Sequence, residues 1–216
     1  MKIFDIHDAL TQNWNIACKK FCSDCCTDHV LMTGLEGSLI LEYLKSHNQL
    51  KLLNRILTIP SNKRFHPKTT INQEAYLATN DKPVPEPEDA PIHICPFLIE
   101  NQCEIYPVRP MICRSMVSST ICKQTGQAAM SSFQMSVATL FFQYIEMLDI
   151  GGCYGNYLSV LEMLTTSPET QSLQLVLTKS SLLKNQRIYQ VMMPPEYQKK
   201  LIPIMEAIQN IFSEHS

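Results

Sequence analysis

Apolar residues recur at three- and four-residue steps through most of the chain, the period of a helix with one buried face. Ile3, Ile6, Leu10, Trp14 and Ala17 predict an amphipathic helix over 3–20 that runs into the first cysteines, where it would set Cys18 and Cys22 on one face. Thr33 and Glu36 have the spacing of a capping box, and Leu35, Leu39, Tyr43 and Leu44 supply the apolar stripe of the helix behind it. Asn48 to Ile59 predicts another helix, stopped by Pro60, and Thr70 with Gln73 caps a short one through Thr79. From Ser132 the helical period returns in Phe133, Val137, Leu140, Phe141, Tyr144, Ile145 and Leu148, and again over 157–165, 171–183 and 196–212.

Two stretches interrupt this pattern. Residues 81–91, DKPVPEPEDAP, hold four prolines and four acids in eleven residues, the composition of an extended, exposed connector. After it, Ile94 to Leu98 and Cys103 to Ile105 are short apolar runs around the polar Glu100-Asn101-Gln102, which predicts a small hairpin. Pro107 and Pro110 then predict tight turns that bring Cys113 back toward that hairpin. Gly151-Gly152-Cys153-Tyr154-Gly155 reads as a helix-to-helix turn or a close approach to a ligand. No preceding strand marks it as a nucleotide loop.

Composition narrows the classes. The chain has 216 residues, 45% of them hydrophobic and 18% charged, enough for a buried core in one domain over 1–216. A formal net charge of -2 lacks the positive field that nucleic acid or an anionic membrane surface calls for, so nucleic acid is not an expected partner. Charge is uneven: residues 43–73 carry Lys45, Lys51, Arg55, Lys63, Arg64 and Lys68 and no acid, while 81–104 carry six acids and one lysine. Such faces attract each other or are solvated, with an anion-binding patch as the alternative. The densest apolar stretch, Val137 to Leu148, includes Thr139, Gln143 and Glu146 and falls short of the roughly 18 apolar residues that span a bilayer, so no membrane partner is expected.

The nine cysteines change the picture most. Cys18, Cys22, Cys25 and Cys26 form C-x3-C-x2-C-C, and Cys95, Cys103, Cys113 and Cys122 follow at intervals of eight, ten and nine. Thiolates are soft, charged donors for zinc or iron, and a C-x2-C step lets the chain wrap one metal while its amides donate to the sulfurs. The adjacent Cys25 and Cys26 seldom reach one mononuclear metal together, which implies two metals or a multinuclear cluster. Eight thiolates match two four-cysteine sites, or one four-iron cluster (4Fe-4S) plus a zinc, and the first group mixes with the second because the hairpin cysteines are too spread to chelate alone. A four-thiolate zinc site carries a charge of about -2, so Lys19, Lys20, Arg109, Arg114 and Lys123 would be favourable neighbours.

Three other readings compete. Buried inert cysteines explain one or two positions but not the clustering. Disulfides fit poorly: the start MKIFDIHDAL has no apolar signal region and the cysteine count is odd, so the expectation is a cytoplasmic protein with reduced thiols. A redox dithiol at Cys22 and Cys25 would want a strand feeding a helix in a βαβ unit, which the pattern lacks. His29 and His93 lie near the cysteines, either as completing ligands or as ordinary supporting histidines. The chain has no H-E-x-x-H, P-loop or G-x-S-x-G, so no catalytic residues are assigned and enzymatic activity stays open.

The stretch Cys18 to Cys26, then Val30-Leu31-Met32-Thr33-Gly34-Leu35-Glu36, then CPFLIENQCEIYPVRPMICR from Cys95 to Arg114, resembles the YkgJ-type cysteine-cluster family of zinc- or iron-chelating proteins. The resemblance covers residues 18 to 125, about half the chain. It implies metal ligands at Cys18, Cys22, Cys25, Cys26, Cys95, Cys103 and Cys113, with Cys122 matching a more variable last cysteine; Arg109, Pro110 and Arg114 match its fixed turn. Flagellin lysine N-methylases carry a similar cluster, which implies an iron-sulfur centre and methyl transfer as an alternative. The arginines would donate to sulfurs or pin the turn to a carboxylate such as Glu36 or Glu104, and Tyr106 is either a hydroxyl near the centre or a packed aromatic. The expected fold is mainly α: a helical bundle with a small β-hairpin and proline turns closing a cysteine-ligated metal site. Residues 18–125 form its metal-binding region and 127–216 a C-terminal helical region.

Overall fold

A computed structural model describes residues 1–19, 21–166 and 181–213, and they are mainly helical with a few short strands. Helix α1 spans Lys2–Thr11, shorter than the periodicity predicts. Beyond it the Ala17 amide donates to the Ser118 carbonyl at 2.7 Å in place of a helical partner. Cys18 and Cys22 therefore stand on irregular backbone and not on one helix face.

Strand β1, Leu31–Thr33, leads directly into α2, Gly34–Ser46. The predicted capping box is present: the Thr33 side chain accepts from the Glu36 amide and the Glu36 carboxylate accepts from the Thr33 amide at 2.8 Å. The next predicted helix is a 3-10 helix, Leu50–Thr58. The buried Arg64 holds its end, donating to the Ile59 carbonyl at 2.9 Å and pairing with Glu162 at 2.5 Å. Helix α3, Ile71–Thr79, is capped by Thr70, which accepts from the Gln73 amide as the spacing predicts.

Residues 82–89 of the connector are exposed, and Lys68 pairs with Glu88 across the basic and acidic stretches at 2.6 Å. The hairpin is small: β2, Leu98–Ile99, pairs with β3, Gln102–Cys103, so Leu98 faces Cys103. Its two loop residues, Glu100 and Asn101, have φ of 49° and 61°, the conformation a two-residue hairpin turn requires. A 3-10 turn at Tyr106–Val108 and the short helices α4, Met111–Ser115, and α5, Cys122–Thr125, follow.

The region after 127 is not purely helical. Between α6, Ser132–Leu148, and α7, Tyr157–Thr166, the glycine-rich segment forms strand β4, Cys153–Asn156. It pairs antiparallel with β1 (Leu31 opposite Asn156) and with β5, Leu183–Lys184, in a three-stranded sheet. Gly155 leaves room there for the Leu182 side chain, which a Cβ would meet at 2.5 Å. The predicted helix over 171–183 lies outside the described residues up to 180, and 183 belongs to β5. The last helix, α8, is Gln198–Ser213.

Two apolar cores result. One packs Met32, Ile40, Leu44, Phe97, Ile105, Tyr157 and Leu161 between α2, α7 and the hairpin, with Cys95, Cys103 and Cys113 against its edge. Gly37 permits the close approach of α2 to α7, since a Cβ would lie 2.9 Å from Val160. The other packs Ile3, Phe4, Met111, Leu140, Phe141, Tyr144, Leu201 and Ile208 between α1, α6 and α8.

Candidate metal centre

Irregular chain over 21–29 lies alongside residues 93–103, held there by main-chain hydrogen bonds. The Asp28 amide donates to the His93 carbonyl and the Cys95 amide to the Cys26 carbonyl, each at 3.0 Å, and Thr27 bridges Ile94. The buried Asp28 carboxylate clamps the same junction, accepting from the His93 amide at 2.7 Å and bonding the His93 ring at 2.9 Å. Ser23 donates to the Asn101 side chain at 3.1 Å, tying the loop to the hairpin tip. The two cysteine-bearing segments thus lie side by side.

Cys113 is placed from below. Glu36, buried at the start of α2, accepts from the Met111 amide at 2.7 Å, so the capping box that opens α2 also anchors the first turn of α4. Arg114 fixes the proline turn, donating to the Arg109 and Pro107 carbonyls and pairing with Asp8 of α1 at 2.7 Å. The arginine thus pins the turn to a carboxylate, Asp8, while Glu36 accepts from Thr33 and the Met111 amide. Arg109 lies 3.8 Å from the centre of the Tyr106 ring and donates to its carbonyl, so Tyr106 acts as a stacked, exposed aromatic.

These constraints enclose a cavity of about 700 Å3 walled by Cys18, Cys22, Cys25, Cys26, Cys95, Cys103 and Cys113. Seven of the eight predicted cysteines thus share one wall, and Lys19 and Arg109 are on it too. Cys122 is not part of the wall. Lys20 lies outside the described residues. His29 lines the cavity with its ring nitrogen bonded to the Pro91 carbonyl, whereas His93 is committed to Asp28. The ninth cysteine, Cys153, is buried in β4 beside Asp149, away from the others. The thiols ring the cavity without meeting at a point: among the described residues no three His, Cys, Asp or Glu side chains form a ready metal-binding group.

Burial sets the acidity of most of these thiols. It pushes Cys113 well above the ordinary range, Cys103 up to about 11, and Cys95 and Cys18 up as well. Main-chain amides work against it: those of Phe97 and Leu98 favour the Cys95 thiolate, that of Ile105 the Cys103 thiolate, and that of Ser118 the Cys18 thiolate. The adjacent Cys25 and Cys26 thiols act on each other, which pulls Cys25 below the ordinary thiol range and pushes Cys26 above it.

One group at the site has no sequence signal. The Tyr157 hydroxyl donates to Cys95 Sγ at 3.2 Å from a tyrosine that in the sequence is one more apolar position of a helical stripe. Its ring is buried against Phe97, and burial together with Cys95 holds the hydroxyl in its protonated, donating form. Asp28 likewise gives no sign in the sequence of its place under the cysteine loop.

The donor set fits a thiophilic metal or cluster: soft sulfurs, amide and hydroxyl donors aimed at them, and a basic side chain on the rim. Among the described residues no helix is long and apolar enough to cross a membrane. Comparison of the chain with protein-family models, with curated proteins and with solved structures gives no match in any of the three.

Proposed function

We propose that the protein binds zinc or an iron-sulfur cluster through its eight clustered cysteines, as the resemblance to YkgJ-type proteins implies, and that it does so in the cytoplasm, where thiols stay reduced. The observation that carries this reading is the convergence of two cysteine-bearing segments, about seventy residues apart in the chain, on one cavity. Inert core cysteines need no such convergence, no amide donors at their sulfurs and no buried carboxylates pinning the loops that bear them. Cys18, Cys22, Cys25, Cys26, Cys95, Cys103 and Cys113 hold the metal from the wall, and Cys122, off the wall, completes the eight. Tyr157 and the amides near Cys95 and Cys103 stabilise the negative sulfurs.

The test compares Cys95→Ser with Cys153→Ser in protein purified without oxygen. Metal content falls in the first and is unchanged in the second, because Cys153 stands apart from the cavity. Equal metal content in both variants overturns the assignment.

A second reading draws on the size of the cavity. A volume of about 700 Å3 falls in the range of organic-ligand pockets and exceeds what thiolate-bound metals fill. That room favours an iron-sulfur enzyme assisting methyl transfer to protein lysine or electron transfer, and it calls for a brown protein that bleaches reversibly on chemical reduction.

A further inference from the structure

We infer that the exposed groove between Tyr76 and Tyr189 is a docking site for the acidic, proline-rich segment 83–91 of a second copy of this chain. The cysteine cavity takes no part in it.

The groove stands on a buried polar network. The Asn72 side chain donates to the Gln143 and Gln186 carbonyls at 3.0 and 3.1 Å, and the Glu146 carboxylate accepts from the Asn72 and Gln186 amides. Gln143 donates to the Gln190 carbonyl at 2.8 Å and accepts from the Met192 amide at 2.7 Å. Asn72, Gln143 and Glu146 are all buried, so irregular chain over 186–192 is fixed against α3 and α6 without regular structure of its own.

On the outside this leaves two exposed rings, Tyr76 and Tyr189, with centres 5.5 Å apart and planes at 57°. With Asn72, Gln73 and Gln186 they line a groove of about 420 Å3. Among the described residues no hydrogen bond engages the two phenol hydroxyls or the Gln73 side chain. Aromatic faces with free hydroxyl and carboxamide donors suit a polyproline II strand, whose rings stack on aromatics and whose carbonyls have no partners of their own.

The chain carries such a strand. Residues 83–91, PVPEPEDAP, hold four prolines and three acids and form neither helix nor strand. At three residues per turn, a polyproline II helix puts Val84, Pro87 and Ala90 on one apolar edge and Glu86 and Asp89 on the next. The third edge is tied to its own chain: Glu88 pairs with Lys68 at 2.6 Å, and the Pro91 carbonyl is bonded to the His29 ring. None of these residues lines the groove of its own chain.

Charge selects the same occupant. Lys82 lies 5.5 Å over the Tyr76 ring, and the exposed Lys184 and Arg187 bracket Gln186 in the chain. Among the described residues none of these three cations has a carboxylate partner, whereas Glu74 is bonded to Thr69 and Glu146 is buried. Glu86 and Asp89 of a second copy supply the missing acids. Lys82 stands at the groove and also opens the proline-rich segment, so groove and segment adjoin on one surface. Two copies related by a two-fold axis therefore exchange segments reciprocally, through a small interface and hence a weak one.

Sedimentation of the full, reduced chain over a concentration series tests this. A monomer–dimer equilibrium is expected, and Tyr189→Ala or the double variant Val84→Ser/Pro87→Ser each raises the dimer dissociation constant at least about tenfold. An equal mixture of the two variants dimerises more tightly than either alone, because each mixed pair retains one intact groove facing one intact segment. Should Tyr189→Ala fail to fold, a synthetic peptide of residues 81–91 in excess dissociates the wild-type dimer. The inference is overturned by a chain that stays monomeric throughout its soluble range, even if it binds the peptide, since the occupant is then another protein. A dimer indifferent to the substitutions and to the peptide overturns it equally.

Discussion

The two apolar cores of this molecule are built on different terms. Around α6, the core of Ile3, Leu140, Phe141, Leu201 and Ile208 is closed by regular helices, with a complete capping box at Ser131 and Gln134 and buried rings in contact. The core of Met32, Phe97, Ile105 and Tyr157 is closed on one side by loops, short turns and a four-residue hairpin ladder, and cysteines form its edge. Irregular backbone supplies few hydrogen bonds of its own, so buried side chains supply them: Asp28 under the first cysteine loop, Glu36 under α4, Arg114 in the proline turn. The helical core is complete as it stands, whereas in the proposed reading a metal held by the sulfurs would complete the other.

Metal removal should separate the two cores most strongly. Stripping metal with a chelator should lower amide hydrogen-exchange protection in 21–29 and 93–116 by about tenfold or more, while α6 and α8 keep theirs. Equal loss in both cores, measured by exchange and mass spectrometry, would show that they are one cooperative unit. Conversely, Leu140→Ala removes a fully buried side chain from the helical core and should cost about 2–5 kcal/mol in urea unfolding, with metal bound per folded molecule unchanged.

Glu146 extends the contrast to pH. Its buried carboxylate accepts from the Asn72 amide at 2.8 Å and the Gln186 amide at 2.6 Å, and burial nevertheless raises its pKa above the ordinary 4.5. The folded state therefore binds this proton more tightly than the unfolded chain. The resulting stability is fully present below pH 4.5 and is lost as pH rises through the raised value. Glu146→Gln should flatten this fall by up to about 1.4 kcal/mol per pH unit, read from urea midpoints above pH 4.5. An unchanged slope would mean that the carboxylate is already ionised when folded.

The smallest effect belongs to Tyr157. Tyr157→Phe keeps the buried ring and removes only the donor to Cys95 Sγ, at a cost of about 1 kcal/mol. The absorption of the bound metal centre should shift while its stoichiometry stays the same. Loss of the metal altogether would place the hydroxyl among the groups that hold it.

What the sequence disclosed follows the same division. Local bonds were legible: the Thr33 and Glu36 box, the Thr70 cap and the long stripe of α6 all join residues within a turn or two of each other. Distant bonds were not. The α1 stripe continues past Thr11 in the sequence, but Ser118 captures the backbone at Ala17. Cys153–Asn156 looks like part of a glycine turn until it meets Leu31–Thr33 as a strand partner. At the site the cysteines were legible because thiols at that spacing are rare for packing alone. Tyr157, Asp28 and Asp8 were not, since nothing local in a tyrosine or an aspartate reveals the sulfur, amide or guanidinium it will meet.

Whether the sulfur-edged cavity holds metal is decided most directly by measuring zinc, iron and acid-labile sulfide, with the visible spectrum, on protein purified without oxygen. Bound metal is expected: zinc in a colourless protein, or iron with sulfide in a brown one. Protein that contains neither metal, with all nine thiols free and the fold intact, would contradict metal binding at this site.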